Sequence, residues 1–312
     1  MRRALFLVLV LLATPAGAQE WRIVNGFAPG GTADVLARLL AEHVAPSLGA
    51  RPVVETRTGA NGMIAAEAIA RGPADGSAVM VCVMGMLAIA PEMPGARLPL
   101  DPGRELRGVS TVALSPYALV VAAHGPHRDL AGLLAAARAP QGITYASVGP
   151  GSAPHLAGEL LRQRAGGTMA HVPYRGAAPA ILDIVAGRTD FLFISLGDIT
   201  RQVRAGELRL LALGDESGRA VFPDAPVIGS LVPGVAANTW FGLCGARAMP
   251  DAAAERWAAA VRVALSDSAL LRRLEEMGLT PHPEGPAEMD ARAAADRRRW
   301  GEVIRAGGVR AE

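Results

Sequence analysis

The sequence contains no lysine, and all 31 of its basic residues are arginines. A lysine Schiff base and a P-loop both depend on a lysine ammonium group, so both kinds of site are excluded. The six histidines form no His-Glu-x-x-His motif, and no cysteine pair has metal-binding spacing. We therefore expect no metal site and no cofactor.

Aromatic residues are also few, and the net charge of the chain is small. Phe, Trp and Tyr make up 4% of the chain, and the formal net charge is +2. Surfaces that bind single-stranded nucleic acid combine a basic groove with stacking aromatic side chains. The composition therefore predicts that nucleic acid is not a partner.

The apolar run near the start, residues 4–13, is about ten residues long, whereas a membrane-spanning helix needs about 20. It follows Arg2 and Arg3 and precedes the small residues 16–18, which is the pattern of a secretory signal peptide. We expect cleavage near Ala18 and a periplasmic mature protein, with a retained membrane anchor as the alternative. Removal of residues 1–18 leaves 29 arginines and 29 acidic residues.

The only two cysteines, Cys82 and Cys244, lie in apolar segments with the composition of strands. In an oxidising compartment they could form one disulfide, but isolated thiols in strands are also ordinary core residues. Both alternatives remain open at the level of sequence.

Glycine and proline separate alternating strand-like and helix-like segments along the chain, which predicts an α/β fold with largely parallel strands. The tail from Pro250 is rich in Ala, Leu, Arg and Glu and predicts two or three helices with no strand between them. The predicted strands cover residues 22–27, 52–55, 79–83, 109–114, 118–123, 143–147, 170–174, 191–194, 208–213 and 239–244.

A chain of this length is at the size where one core gives way to two, so we expect a monomer of two α/β lobes. Candidate crossovers between the lobes are residues 110–117 and 235–240. The predicted lobe 1 comprises residues 19–114 with 236–312, and lobe 2 comprises residues 115–235.

Three segments, residues 27–34, 147–155 and 172–178, each run from a strand through a glycine turn into a helix. Glycine lets a ligand approach the backbone, and the first turn of a helix presents unpaired N–H groups that attract anions. At the carboxyl ends of strands in an open sheet, such turns predict a ligand site. The alternative is that each is a plain connection, with Thr32 and Ser152 as helix N-caps.

An ordered set of motifs resembles the Bug family of extracytoplasmic receptors associated with tripartite tricarboxylate transporters. The resemblance covers essentially the whole chain after residue 18. It rests on Phe27-Ala28-Pro29-Gly30-Gly31-x-x-Asp34-x-x-Ala37-Arg38, Val54-Glu55-x-Arg57-x-Gly59-Ala60-x-Gly62, Tyr145-Ala146-Ser147, Gly151-Ser152-x-x-His155-Leu156, His171-Val172-Pro173-Tyr174-Arg175-Gly176, Pro223-Asp224-x-Pro226 and Trp240-Phe241-Gly242-Leu243.

The resemblance implies a two-lobed, periplasmic-binding-protein-like clamshell of type II. It also implies a small carboxylate held in the cleft by backbone groups and bridging waters, then passed by transient contact to membrane transporter subunits. The residues predicted to bind ligand are Phe27, Pro29, Gly30, Gly31, Thr32, Asp34, Ser147, Gly151, Ser152, His155, Tyr174, Arg175 and Gly176.

Arg175 either clamps the carboxylate at two points or pairs with a surface acid. Departures from the family pattern fall near the site: Gly26, Thr56 and Thr58 replace its usual residues, and Ile194-Ser195 replaces Asp-Asn. The last change removes a carboxylate that could contact a ligand amine, so an amino-acid ligand is less expected.

Two other functions are compatible with some of these residues. Ser152, His155 and Asp198 could be drawn as a hydrolase triad, but no Gly-x-Ser-x-Gly elbow is present, and we expect no enzyme activity. A ligand-sensing subunit of a signalling system would require the same fold and cleft as a transport receptor.

Overall fold

The computed structural model describes residues 20–174 and 176–310. The predicted signal peptide, residues 1–18, and Arg175 lie outside the described residues. The described strands are β1 (Arg22–Asn25), β2 (Val53–Thr56), β3 (Ala78–Val83), β4 (Leu106–Ala122), β5 (Ile143–Ser147), β6 (Met169–Pro173), β7 (Phe191–Ser195), β8 (Leu208–Leu213), β9 (Asn238–Ala246) and β10 (Thr280–Glu284).

Helices connect most of these strands and form the layers that cover the sheets. The described α-helices are α1 (Thr32–His43), α2 (Ala45–Leu48), α3 (Met63–Ala70), α4 (Pro102–Glu105), α5 (Leu130–Arg138), α6 (Ala153–Ala165), α7 (Ala177–Val185), α8 (Leu196–Arg204), α9 (Ile228–Leu231), α10 (Asp251–Ala264), α11 (Ser268–Glu276) and α12 (Pro286–Gly307).

The long strand β4 belongs to two sheets and so links two lobes. From Leu106 to Pro116 it pairs with β9, which continues through β3 and β1 to β2. From Tyr117 to Ala122 it pairs with β7 and β8, and β7 continues through β5 to β6. We call the half built on β1–β3 and β9 lobe 1 and the half built on β5–β8 lobe 2. The boundaries predicted after residues 114 and 235 stay predictions.

The expectation of largely parallel strands was wrong, because the sheets are mixed. Strands β1, β2 and β3 are mutually parallel, as are β5, β6 and β7, whereas every pairing made by β4 or β9 is antiparallel. Strand β4 carries the chain from lobe 1 into lobe 2, and β9 follows its return to lobe 1. The two strands therefore run in opposite directions and pair antiparallel. Residues 109–114 and 118–123 were expected as two strands but form one continuous strand, β4.

The expectation that the tail contains no strand was also wrong. Strand β10 pairs antiparallel with β4 at Thr280 and Pro281, and the register is irregular between Pro281 and Glu284. Proline lacks the N–H that a central strand needs, so Pro281 and Pro283 argued against a strand here. An edge or bulged position tolerates proline, which is the position that β10 occupies.

Helix α12 contacts both lobes. Its Trp300 Nε1 donates to Sδ of Met84 in lobe 1 at 3.4 Å, and Gln163 Nε2 of α6 in lobe 2 donates to the Val303 carbonyl of α12 at 2.9 Å. The C-terminal helix therefore ties lobe 2 to lobe 1 at a third place, in addition to β4 and the chain leading into β9.

The two cysteines form a disulfide. Cys82 on β3 and Cys244 on β9 lie on neighbouring antiparallel strands with their Cα atoms 6.0 Å apart. Of the two alternatives left open by the sequence, the structure shows the bonded one, and both residues are almost completely buried in lobe 1.

Replacing both cysteines by alanine is expected to lower the free energy of unfolding by about 3 kcal/mol. The bond closes a loop of 162 residues, and closing a long loop restricts the unfolded chain most. Urea unfolding with and without reductant measures the loss, and the double alanine variant, which has no bond to reduce, is the control for the reductant itself. Superimposable curves for the oxidised and reduced protein would contradict the expectation.

Candidate functional site

A cavity of about 330 Å³ lies between the lobes, where the parallel strands end and the glycine turns begin. Both lobes contribute to its wall, and apolar side chains predominate. The lining residues are Phe27, Ala28, Gly31, Thr32, Ala33, Asn61, Val83, Gly85, Tyr117, Val148, Ser152, Ala153, Pro154, Gly176, Ala177, Ile194, Ser195, Asp198, Thr239 and Phe241.

Two helices from opposite lobes begin at this cavity without a side-chain cap. Gly31 is the N-cap of α1 in lobe 1, and Gly176 is the N-cap of α7 in lobe 2. Neither glycine has a side chain to accept from the first N–H groups of its helix, so those groups stay open to a ligand. Two positive helix ends therefore border one cavity from its two sides.

The first glycine turn is held in place by Asp34. Its carboxylate is buried and accepts from the Gly30 N–H at 3.0 Å, from Asn25 Nδ2 at 3.3 Å and from the Arg38 guanidinium at 3.1 Å. Burial works against the charge of Asp34, but the hydrogen bonds from Arg38 and Gly30 prevail and lower the pKa of the carboxyl. Asp34 thus holds the turn through its hydrogen bonds, while Gly31 and Thr32 line the cavity.

The two glycines of this turn have different roles. Gly30 has a φ of +80°, a left-handed conformation that a side chain disfavours, whereas Gly31 has an ordinary φ of −76°. Pro29, Gly30 and Asp34 are not among the cavity-lining residues; Phe27, Gly31 and Thr32 are.

The second turn rests on two stacked imidazoles. The Gly151 N–H donates to Nδ1 of His155 at 3.0 Å, and the His155 ring stacks on His171 with centroids 3.8 Å apart. His171 Nε2 is hydrogen-bonded to Oγ of Ser147 at 2.6 Å. Burial lowers the pKa of both histidines to about 4, and for His171 the neighbouring His155 adds to the effect.

Because Nδ1 of His155 accepts a hydrogen bond, the turn requires that nitrogen to be unprotonated. Ser147, Gly151 and His155 therefore support the turn through these hydrogen bonds, and only Ser152 of the predicted residues in this segment lines the cavity. Ser152 is also the N-cap of α6, accepting from the His155 N–H at 3.4 Å, so its expected capping role is confirmed.

In the third turn, Gly176 lines the cavity and Tyr174 does not. The Tyr174 hydroxyl donates to Asp183 on α7 at 2.8 Å, and burial together with this bond raises the pKa of Tyr174 to about 12. This bond fixes the strand end against the helix. The neighbouring Arg175 lies outside the described residues, so its two proposed roles stay predictions.

The cavity includes a fourth turn that the sequence motifs did not assign to it. Asn61 lines the wall, and the four residues Gly59, Ala60, Asn61 and Gly62 all have positive φ, between 46° and 136°. Positive φ is strained at the two residues that are not glycine, Ala60 and Asn61, and such strain concentrates at functional sites. The block Gly59-Ala60-x-Gly62 was part of the family resemblance, and its two glycines were the available signal.

Asp198 also lines the cavity, from the first turn of α8. The Thr32 hydroxyl of α1 donates to Asp198 Oδ1 at 3.3 Å, a contact between lobes across 166 residues of sequence. Burial raises the pKa of the Asp198 carboxyl, and the bond from Thr32 only partly offsets this. The alternative in which Thr32 is an N-cap is wrong, because Gly31 occupies that position and Thr32 reaches across the cleft.

The hydrolase alternative finds no matching geometry in the described residues. Ser152 Oγ donates to the Gly149 carbonyl at 2.6 Å and accepts from the main chain of His155, whose ring nitrogen Nδ1 is occupied by Gly151. A nucleophile needs a hydrogen bond to the base, and that bond is not made within the described segment 147–155. Among the described residues no group of His, Cys, Asp or Glu is arranged to hold a metal ion.

No helix in residues 20–174 or 176–310 combines the length and apolar character needed to cross a membrane.

Residues 36–309 match the family model for the tripartite tricarboxylate transporter family receptor. The UPF0065 protein in the tcbD-tcbE intergenic region of Pseudomonas sp. strain P51 is 31% identical over 94% of this chain and 87% of its own length. Protein BugT of Bordetella pertussis is 28% identical over 98% of this chain and 96% of its own length.

Two solved structures share the fold and are described with small carboxylates. Rpa4515 of R. palustris with adipate aligns with a TM-score of 0.84 at 28% identity, covering 94% of this chain and 98% of that protein. MatC of Rhodopseudomonas palustris with bound malate aligns with a TM-score of 0.81 at 26% identity, covering 91% and 98%. The predicted two-lobed binding-protein fold and the resemblance to Bug receptors are thereby confirmed, and the chain belongs to the tripartite tricarboxylate transporter receptor family.

Proposed function

We propose that this protein captures a small carboxylate in the cavity between its lobes, converts nothing, and delivers it to the membrane subunits of a tripartite tricarboxylate-type transporter. The observation that carries the proposal is the pair of uncapped helix N-termini, at Gly31 and Gly176, that face one cavity from opposite lobes. No arginine or histidine is among the described lining residues, so the anion donors there are backbone N–H groups together with hydroxyl and amide side chains such as Asn61 and Tyr117.

The energetics of such a site are adequate for a carboxylate. Each helix end contributes about 0.3–1 kcal/mol through its dipole, and a hydrogen bond to a charged group contributes about 1.5–3 kcal/mol. Apolar side chains such as Phe27, Val148 and Phe241 surround the rest of the ligand and exclude water. The adipate and malate described with Rpa4515 and MatC belong to the class of small carboxylates that this proposal concerns.

The family assignment supports an exported protein. We propose that cleavage near Ala18 releases a monomeric receptor into the periplasm, where it meets its transporter only transiently. A ligand that contacts both lobes would stabilise the arrangement in which the lobes are together, because a ligand shifts an equilibrium only through contacts that differ between the two states. The loaded form would then be the one the transporter recognises.

Screening the ligand-free protein against small mono-, di- and tricarboxylates is expected to find a compound that raises its thermal midpoint. At a hundredfold excess over the dissociation constant, the ligand adds about 2.7 kcal/mol to the free energy of unfolding. Mass spectrometry of material released by denaturing the purified protein would identify the natural ligand. Absence of any carboxylate ligand, or repeatable formation of a product, would contradict the proposal.

A further inference from the structure

Asp198 is the only formally charged side chain among the described residues that line the cavity. Within the described part of the chain its carboxyl group accepts one hydrogen bond, from Thr32, and takes part in no salt bridge. Apolar side chains, among them Ile194, Val148 and Phe241, make up most of the cavity wall. A carboxylate in such surroundings gains most from a donor or cation that enters with the ligand.

The position of Asp198 relative to the helix ends restricts that ligand further. Thr32 is the first residue of α1, so its main-chain N–H belongs to the uncapped helix end while its hydroxyl contacts Asp198. The anion-binding end and the acidic group are therefore adjacent. A ligand whose carboxylate lies at α1 therefore has Asp198 within reach of its next polar group.

We propose, on the basis of the function proposed above, that Asp198 makes this cavity selective for short carboxylates that carry a second group able to donate a hydrogen bond. An ammonium group is the preferred second group. A second carboxylate at that place would meet Asp198 as a like charge in a site of low dielectric constant. An ammonium would pair with it, and a hydroxyl would donate one hydrogen bond. Discrimination thus combines attraction of one ligand class with repulsion of another.

Ile194 and Ser195 stand where the family often has Asp-Asn, and the loss of that carboxylate made an amino-acid ligand less expected. Ile194 is in β7 and Asp198 in the first turn of α8, and both line the cavity, so the carboxylate missing from one position of the wall is supplied by another. The family pattern indicates that an acidic residue is lost at Ile194, whereas the fold places the carboxyl group of Asp198 on the same wall.

The test uses three probes with the same four-carbon skeleton, 4-aminobutanoate, 4-hydroxybutanoate and succinate, which differ only in the group opposite one carboxylate. Calorimetric titration of the ligand-free, full-length mature protein is expected to rank them in that order, with at least about a tenfold advantage of the amino compound over succinate. In Asp198→Asn the order is expected to invert: the amino compound loses about tenfold or more, and succinate gains.

Glu207→Gln, which removes the same charge from an exposed position of lobe 2, is the matched control and is expected to keep the wild-type order. A second readout is independent of ligand. Because burial disfavours the charged carboxyl, ligand-free Asp198→Asn is expected to unfold at a higher temperature than wild type. If Asp198→Asn does not fold, Asp198→Ser serves the same comparison.

The outcomes separate the two proposals. If none of the probes and no other carboxylate binds wild type, the proposed function fails. If carboxylates bind but succinate outranks the amino compound in wild type, or Asp198→Asn leaves the ranking unchanged, only the role of Asp198 is overturned.

Discussion

Gly31→Asp is expected to weaken the affinity for the ligand by about a hundredfold or more, in a protein that folds as well as wild type. Gly31 is the N-cap of α1 with φ −76° and ψ 167°, a conformation open to any residue. Aspartate is among the best N-caps, so its carboxylate would accept from the N–H groups that the ligand needs and would repel the ligand's own charge. The substitution places a permanent anion in the site from within the chain.

Three companion variants separate the causes. Gly31→Asn caps the helix without the charge and is expected to weaken binding less than Gly31→Asp, and Gly31→Ala, whose Cβ lies 3.4 Å from the Ala28 carbonyl, less again. Gly30→Ala puts a side chain at φ +80° and is expected to cost about 1–2 kcal/mol of stability without occupying the site. Unchanged affinity of folded Gly31→Asp, measured by calorimetry, would place the ligand elsewhere.

Acidification from pH 7 to pH 4.5 is expected to destabilise the protein by about 2 kcal/mol through His155 and by somewhat less through the partly exposed His171. Both imidazoles have their folded pKa lowered to about 4, whereas in the unfolded chain they titrate near 6.5. Between these values the unfolded chain binds protons that the folded protein does not. Stability is therefore complete above about pH 6.5 and falls as the pH approaches 4.

Urea unfolding at a series of pH values measures this slope. The variant His155→Gln with His171→Gln is expected to flatten it, because glutamine does not titrate and can still accept from the Gly151 N–H. His124→Gln, at an exposed histidine, is the control and is expected to leave the slope unchanged. An equally steep slope in the double variant would show that other groups cause the loss.

Much of the secondary structure follows from local sequence. Apolar runs bounded by glycine, proline or charged residues predicted β5 and β8 with both bounds as observed, at residues 143–147 and 208–213. Strand β10 was missed because its two prolines exclude a central strand, and its place at an edge depends on β4, more than 160 residues away. Strand pairing across such separations is not encoded in any local pattern.

The outline of the site was also predictable from local sequence. The three glycine turns identified the helix ends, and Phe27, Gly31, Thr32, Ser152 and Gly176 do line the cavity. Sequence proximity does not give the direction of a side chain, so it did not show that Asp34 and His155 hydrogen-bond within the turns, and their contact with the ligand stays a prediction. Whether each lining residue contacts the ligand stays a prediction.

Two other cavity residues were not assigned to the ligand site from the sequence. Gly59 and Gly62 indicated a turn, but the left-handed backbone of Asn61 within it is specified by the folded turn. Asp198 depends on the approach of two lobes, which brings α8 to the start of α1.

The passage of β4 through both sheets also determines the order in which the molecule can assemble. Every strand of lobe 2 is complete by Leu213, whereas lobe 1 lacks β9 until Asn238–Ala246 has been added. Until then β3 presents an unpaired edge, the kind of surface on which incomplete chains associate. Lobe 2 can therefore fold before lobe 1 is complete. Thr239 and Phe241, the last cavity-lining residues in the sequence, join the wall only when β9 is added to lobe 1.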